Sequence, residues 1–321
     1  MTRYFSTLFS LSIISIFVFP SCEQVLETDI GSAEQKLVMV SNFSADHQLE
    51  VLVTSTRSVI SNSSGTDYVT NAVVKVFEGT EFLEELILQM PDDGSNLPPS
   101  YVSVDFRPKV GSTYTLKASA PGFISVQASN IIPRGTNVGE VGFTNTLNVK
   151  DTAIADVNFN VSLNFQDDPD EENYYHILFY QQLLRYSVSE RPDGGFDTIA
   201  LASSDFAELE VDLMDGQIPY TKFLGGQSIL LKDDSFAGQN VDLRIKGSFS
   251  FDIDQHLPGS FSVEIRTVSE AYYLYYTTLT NQGQGNNELL ADTQPVFDNV
   301  ENGNGIFAGY SSNTTFFAIN P

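Results

Sequence analysis

Apolar and polar residues alternate through much of the chain, as in Leu49-Glu50-Val51-Leu52-Val53-Thr54 and Ala72-Val73-Val74-Lys75-Val76-Phe77. A period of two sends successive side chains to opposite faces, so these runs are predicted to be strands with one buried side. Clusters of turn formers, Asn62-Ser63-Ser64-Gly65 and Pro91-Asp92-Asp93-Gly94, separate them. Further strands are predicted over 82–88, 101–106, 113–118 and 123–129. About seven short strands in a hundred residues point to a β-sandwich, assigned to 36–133. Pro133-Arg134-Gly135-Thr136-Asn137 breaks the pattern and marks an expected domain boundary.

The second half, 138–321, is also predicted to be β-rich. Val241-Asp242-Leu243-Arg244-Ile245-Lys246 and Phe261-Ser262-Val263-Glu264-Ile265-Arg266 alternate cleanly, while 153–165 and 173–186 are longer runs. One short helix is expected to start near Thr267 or Ser269, with a capping box in Thr267-Val268-Ser269-Glu270, and to stop by Gly283. It puts Tyr272, Tyr275, Tyr276 and Leu279 on one face, predicted to pack on a sheet. In the tail, Asn302-Gly303 and Gly305 accept positive φ, which predicts a tight turn aiming Ile306-Phe307. That segment and 314–319 are expected to pair as strands and close the second domain.

The first residues read differently. Arg3 precedes an apolar stretch over 8–19, interrupted only by Ser10, Ser12 and Ser15 and ended by Pro20. This predicts a signal peptide over 1–21 rather than a membrane span, which needs about 20 apolar residues. Phe19-Pro20-Ser21-Cys22 resembles a bacterial lipobox, although Phe19 and Pro20 depart from its usual Leu and small residue. Cys22 is the single cysteine of 321 residues. It is the expected lipidation site, and acyl chains at about 0.8 kcal/mol per buried methylene would hold the protein at a membrane. Residues 22–35 lack a strand or helix period and are expected to be a lipidated tether. Their acidic start, Glu23, Glu27 and Asp29, resembles the export signals of Bacteroidota lipoproteins displayed on the outer membrane.

Composition narrows the partners. There are 16 basic against 41 acidic residues, a formal net charge of -25, so nucleic acid and bare anionic lipid are poor ligands. Hydrophobic residues, at 41%, suffice for a packed core. With Cys22 lipidated, no disulfide or thiolate metal site remains.

Catalytic signatures are missing from the sequence: no Gly-x-Ser-x-Gly, no His-Glu-x-x-His and no phosphate-binding loop. His47, His176 and His256 lie far apart. The best candidate site is the acidic turn 167–173, where Asp167, Asp168, Asp170 and Glu171 offer hard oxygen ligands for Ca²⁺. The turn lacks the glycine and the remaining positions of an EF-hand loop, and a solvated turn before a strand is the competing reading. No other cofactor is expected.

Several segments together resemble a family of Bacteroidota lipoproteins known as domain of unknown function four-two-four-nine. They are Glu34-Gln35-Lys36-Leu37-Val38-Met39-Val40, residues 69–76, Gly111-Ser112-Thr113-Tyr114-Thr115-Leu116, residues 168–175, Ser269-Glu270-Ala271-Tyr272 and the tail 299–310. Tyr114-Thr115-Leu116-Lys117-Ala118 followed by Ala120-Pro121-Gly122-Phe123 is also similar to transthyretin-like sandwiches. The resemblances imply an all-β chain: an N-terminal immunoglobulin/transthyretin-like sandwich, then a β-rich domain with one helix. The first also implies an outer-membrane, surface-exposed lipoprotein that acts beside a TonB-dependent uptake receptor, and it carries over no catalytic or binding residues. Two function classes stay open. One is a non-enzymatic binding or docking module, and the other a hydrolase of extracellular polymer using paired carboxylates.

Overall fold

The computed structural model describes residues 34–57, 65–150, 153–214, 216, 218–223, 226–284 and 295–319. The expected signal peptide, Cys22 and nearly all of the tether lie outside the described residues, as does most of the Asn62-Ser63-Ser64-Gly65 cluster.

The first half holds β1 (Leu37–Phe43), β2 (Glu50–Ser55), β3 (Val73–Glu78), β4 (Glu81–Glu85), β5 (Ile87–Gln89), β6 (Ser100–Val102), β7 (Thr113–Ser119) and β8 (Val126–Ile131). They form the expected two layers. One is the sheet β4-β3-β7-β8, and the other is the β1-β2-β6-β5 end of a larger sheet. The alternating positions Met39, Val51, Val74, Val76, Tyr114 and Leu116 are buried together in one core. The run 82–88 is not one strand. It breaks at Leu86, which is buried and donates its N–H to Val74 O at 2.8 Å, so that β4 stays in one sheet and β5 enters the other.

The second half holds β9 (Asn137–Val149), β10 (Ile154–Gln166), β11 (Tyr174–Glu190), β12 (Phe196–Phe206), β13 (Glu210–Leu213), β14 (Tyr220–Phe223), β15 (Ser228–Lys232), β16 (Asn240–Asp252), β17 (His256–Val268), one helix α1 (Glu270–Gln284) and β18 (Asn304–Ala318). The sheet β13-β16-β10-β9 faces the β14-β15-β11-β17-β18 part of the large sheet. Phe159, Phe165, Phe261, Ile177 and Ile245 belong to the core that they share.

The boundary expected at 133–137 lies inside one compact unit, residues 35–321. Its segment is stitched to the second half. Ser311 Oγ donates to Pro133 O at 2.6 Å, and Thr136 N–H donates to Thr267 Oγ1 at 2.9 Å. The tail joins the halves more directly. The expected turn forms, with Gly303 N–H donating to Val300 O at 3.3 Å, but in place of two strands closing one domain residues 304–318 make one strand that serves both halves. Asn304 to Gly309 pair in parallel with Val38 to Phe43, and Tyr310 to Ala318 pair antiparallel with Val268 to Ser260.

The glycines of this tail answer to space more than to turning. Asn302 and Gly305 do take positive φ, 62° and 118°. A Cβ on Gly305 would lie 2.1 Å from Met39 O, and one on Gly309 would lie 2.1 Å from Ile131 O. Side chains at these positions would push β18 off its neighbours. Asn299 fixes the approach, accepting from Phe307 N–H at 3.0 Å and donating Nδ2–H to Phe307 O at 2.8 Å.

α1 takes the later of the two expected starts. Ser269, not Thr267, sits before its first residue, and Ser269 Oγ accepts from Tyr272 N–H at 3.4 Å. Thr267 remains in β17. Tyr272 is fully buried, Tyr275, Tyr276 and Leu279 are partly so, and the helix packs on β18, β14 and β11 as its stripe predicted. Among the described residues no helix is long and apolar enough to cross a membrane.

Candidate functional site

β10 pairs with β16 along its whole length, from Gln166 opposite Asn240 to Ile154 opposite Asp252. On the other side of β16, β13 pairs only from Leu213 opposite Ile245 to Glu210 opposite Ser248. The chain leaves the edge there for two reasons. Leu209 turns into the core, 4% exposed, and Ala207 donates its N–H to Gln181 O of β11 in the facing sheet, at 2.9 Å. The 205–209 segment therefore crosses between the sheets and parts from residues 249–252 of β16.

The opening is a groove of about 920 Å³, within the usual size range of ligand sites. Asp205, Phe206 and His256 line it from the large sheet, Glu208 from the crossing segment, Glu210 from the start of β13, and Ser248, Ser250 and Asp252 from β16. Phe206 is 66% exposed and meets the Tyr180 ring edge-on at 6.4 Å. Among the described lining residues there is no Lys or Arg.

The groove's acids are in two states. Asp205 accepts from Arg185 Nε at 2.5 Å and sits 2.9 Å from His256 Nε2, and the guanidinium, with His256 second, holds its carboxyl below the usual carboxylate range. Asp252 spends its oxygens on Asp254 N–H at 2.8 Å and Gln255 Nε2 at 2.7 Å. Glu208 and Glu210 are exposed. The other ring nitrogen of His256, Nδ1, is buried with no partner among the described residues.

The acidic turn forms a second, smaller hollow of about 330 Å³ with Arg134, Thr136 and Tyr175. Two of its four candidate carboxylates are taken up by hydrogen bonds. Asp167 is fully buried, accepting from Tyr175 Oη at 2.5 Å and Gly238 N–H at 2.6 Å. Asp168 Oδ1 accepts from Asp170 N–H at 3.0 Å, and Asp170 and Glu171 are exposed. Asn173 Nδ2 ties the loop by donating to the carbonyls of Asp168 and Glu171. No group of three or more His, Cys, Asp or Glu able to hold a metal forms among the described residues.

His176 lies elsewhere, 1% exposed beneath α1, with Nδ1 2.9 Å from Tyr272 Oη and Nε2 2.8 Å from Ser228 Oγ. Burial, then the Arg266 charge, pushes its pKa down to about 3, so the ring stays neutral. Arg266 itself is tied to Glu264 at 2.7 Å and lies over the Tyr310 ring. This cluster fastens the helix to the sheet.

The sequence matches the family described as Domain of unknown function (DUF4249) over residues 23–315. The chain belongs to that family. No curated protein matches it. Among solved structures it is similar to the C-terminal domain of the Streptococcus pyogenes antigen I/II-family protein AspA, at 9% identity over 73% of this chain and 94% of that one, with a TM-score of 0.17. It is also similar to the collagen adhesin CNA from S. aureus, at 9% identity over 90% and 97%, with a TM-score of 0.18. At these scores neither likeness carries an argument about this protein. The groove residues could be found in the sequence only as an acid-rich stretch, Asp205-Phe206-Ala207-Glu208-Leu209-Glu210, since what opens the groove is the unequal length of two strands far apart in the chain.

Proposed function

We propose that this protein is a lipid-tethered binding module of the bacterial cell envelope, anchored through Cys22 on the outer membrane and docking, through the groove, onto a TonB-dependent receptor. The observation that carries this reading is a sizeable groove beside an unfinished sheet edge, placed far from the start of β1. From the Val38 row along β18 and β17 to His256 is on the order of 60 Å of strand contour. The arrangement suits docking better than acid–base hydrolysis, because Asp205 and Asp252 are committed to neighbouring donors. Affinity purification of the tagged lipoprotein from detergent-solubilised outer membranes tests the reading. Stoichiometric recovery of a TonB-dependent receptor is the expected result. Recovery of the lipoprotein alone, with hydrolysis of extracellular polysaccharide abolished by Glu208→Gln and Glu210→Gln, replaces docking with the hydrolase.

A further inference from the structure

Two backbone hydrogen bonds fix which way the groove edge of β16 points. Met214 donates its N–H to Arg244 O at 2.7 Å on the β13 side, and Ile253 donates to Ala153 O at 2.8 Å on the β10 side. In an antiparallel ladder a residue's N–H and C=O go to the same neighbour, and successive residues alternate between neighbours. Even-numbered residues of β16 therefore address the β13 side. Ser248 meets Glu210 there, but Ser250 is opposite no strand residue on that side. Its N–H and C=O, and the N–H of Asp252, face the groove. Asp252 O turns back to accept from Gln255 N–H at 3.3 Å.

The edge lacks the usual protection. Sheet edges are ordinarily blocked by proline, an inward charge, a bulge or a covering segment. Phe249-Ser250-Phe251-Asp252 has no proline, lysine or arginine, and its pairing with β10 runs without a register shift. The segment that could have covered it, 205–209, instead crosses to β11.

We infer that an extended basic segment of a partner protein adds to β16 in this groove, as a strand alongside residues 250–252, in line with the end of β13. Backbone bonds from Ser250 and Asp252 supply the affinity, and alternate side chains supply the selection, the general logic of strand addition. Side chains on one face of the guest meet Leu183 and Phe206, and those on the other pass Glu208 and Glu210. Lysine or arginine at the second set matches a groove without described cations on a chain of net charge -25. This inference rests on the docking reading above and names the chemistry of the contact.

The test uses the full chain in detergent and an eight-residue peptide of alternating Val and Lys as probe. Calorimetric titration should show saturable binding that weakens with salt, and Glu208→Gln with Glu210→Gln should remove most of that salt dependence. Ser250→Pro deletes one edge-facing N–H, leaves the backbone donors and acceptors that pair with β10, and should weaken binding about tenfold. Ser250→Ala keeps the backbone donor, loses only the 2.8 Å bond to Asp156, and should bind as the parent does. Should the proline variant fail to fold, a probe N-methylated at alternate amides makes the same cut from the other side. No saturable heat up to about 1 mM probe, or equal binding by the parent and Ser250→Pro, overturns strand addition. A receptor that co-purifies equally with the parent and Ser250→Pro refutes this inference while leaving the docking reading standing. Peptide binding without any co-purifying receptor does the reverse.

Discussion

Replacing Phe307 by alanine tests whether β18 makes the two halves one cooperative body. Phe307 is fully buried in the first-half core, stacked on Phe43 with ring centroids 4.2 Å apart and planes 9° from parallel. Three residues further on, the same strand pairs with β17 in the second half. Removing a buried Phe side chain costs about 3 to 5 kcal/mol, and this site collapses poorly because Asn299 pins the Phe307 backbone on both sides. Chains of 150–250 residues lose about 2 to 4 °C per kcal/mol, so near the lower slope Tm should fall by about 8 °C. Differential scanning calorimetry should show a single transition displaced as a whole. The reasoning fails if the variant melts in two steps, with near-ultraviolet ellipticity from the second-half tyrosines lost at the parental temperature.

Other outcomes follow from single contacts. Cys22→Ser should move the protein from the membrane pellet to the soluble fraction after a salt wash, and continued pelleting would dismiss the lipid anchor. Native proteolysis should spare 133–137, which Ser311 and Thr267 hold, and an early cut there would mean that those bonds do not persist in solution. Asp167→Asn should destabilise by about 1 to 3 kcal/mol, because a buried acceptor of two hydrogen bonds is altered. Adding Ca²⁺ should leave the Tm of the parent unchanged, whereas a rise that tracks ion concentration would make the turn a calcium site. For His176 the folded pKa, about 3, lies below its ordinary 6.5. The unfolded chain therefore binds a proton in that window and the folded one does not. The His176 contribution to stability is complete above pH 6.5 and declines toward pH 3, by up to about 5 kcal/mol, and His176→Gln should flatten urea-denaturation stability between pH 7 and 4.5.

What could be read from the chain follows the range of each signal. Alternation reports which side of a strand is buried, and it located the inward rows of β3, β7, β16 and β17 because those rows need no knowledge of their partners. It is silent on which sheet a strand joins. The run Phe82-Leu83-Glu84-Glu85-Leu86-Ile87-Leu88 reads as one short strand between turns, yet Leu86 carries it from one layer to the other through a bond to Val74. The tail glycines were legible as permissive residues, but close approach to Met39 and Ile131, distant in sequence, is what two of them serve. The acidic turn drew notice as a ligand site through its composition. Its most buried member, Asp167, is instead spent on Tyr175 and Gly238, a use that only tertiary contacts reveal. The groove left no local mark, since it arises where β13 ends short of β16.

A strand made last and needed first has a cost in time. β1 is among the first segments to emerge during synthesis, and the parallel neighbour that completes it, Asn304 to Gly309, is among the last. Pairing of such sequence-distant segments is slow, because loop closure must precede any reward from contact. Until the C-terminus arrives, β1 and β17 both present open edges to whatever else is unfolded nearby, the condition under which chains aggregate. Chains truncated before β18 should therefore accumulate as misassembled or degraded material, and a chaperone that shields strand edges should matter more to this protein than to one whose sheets close locally.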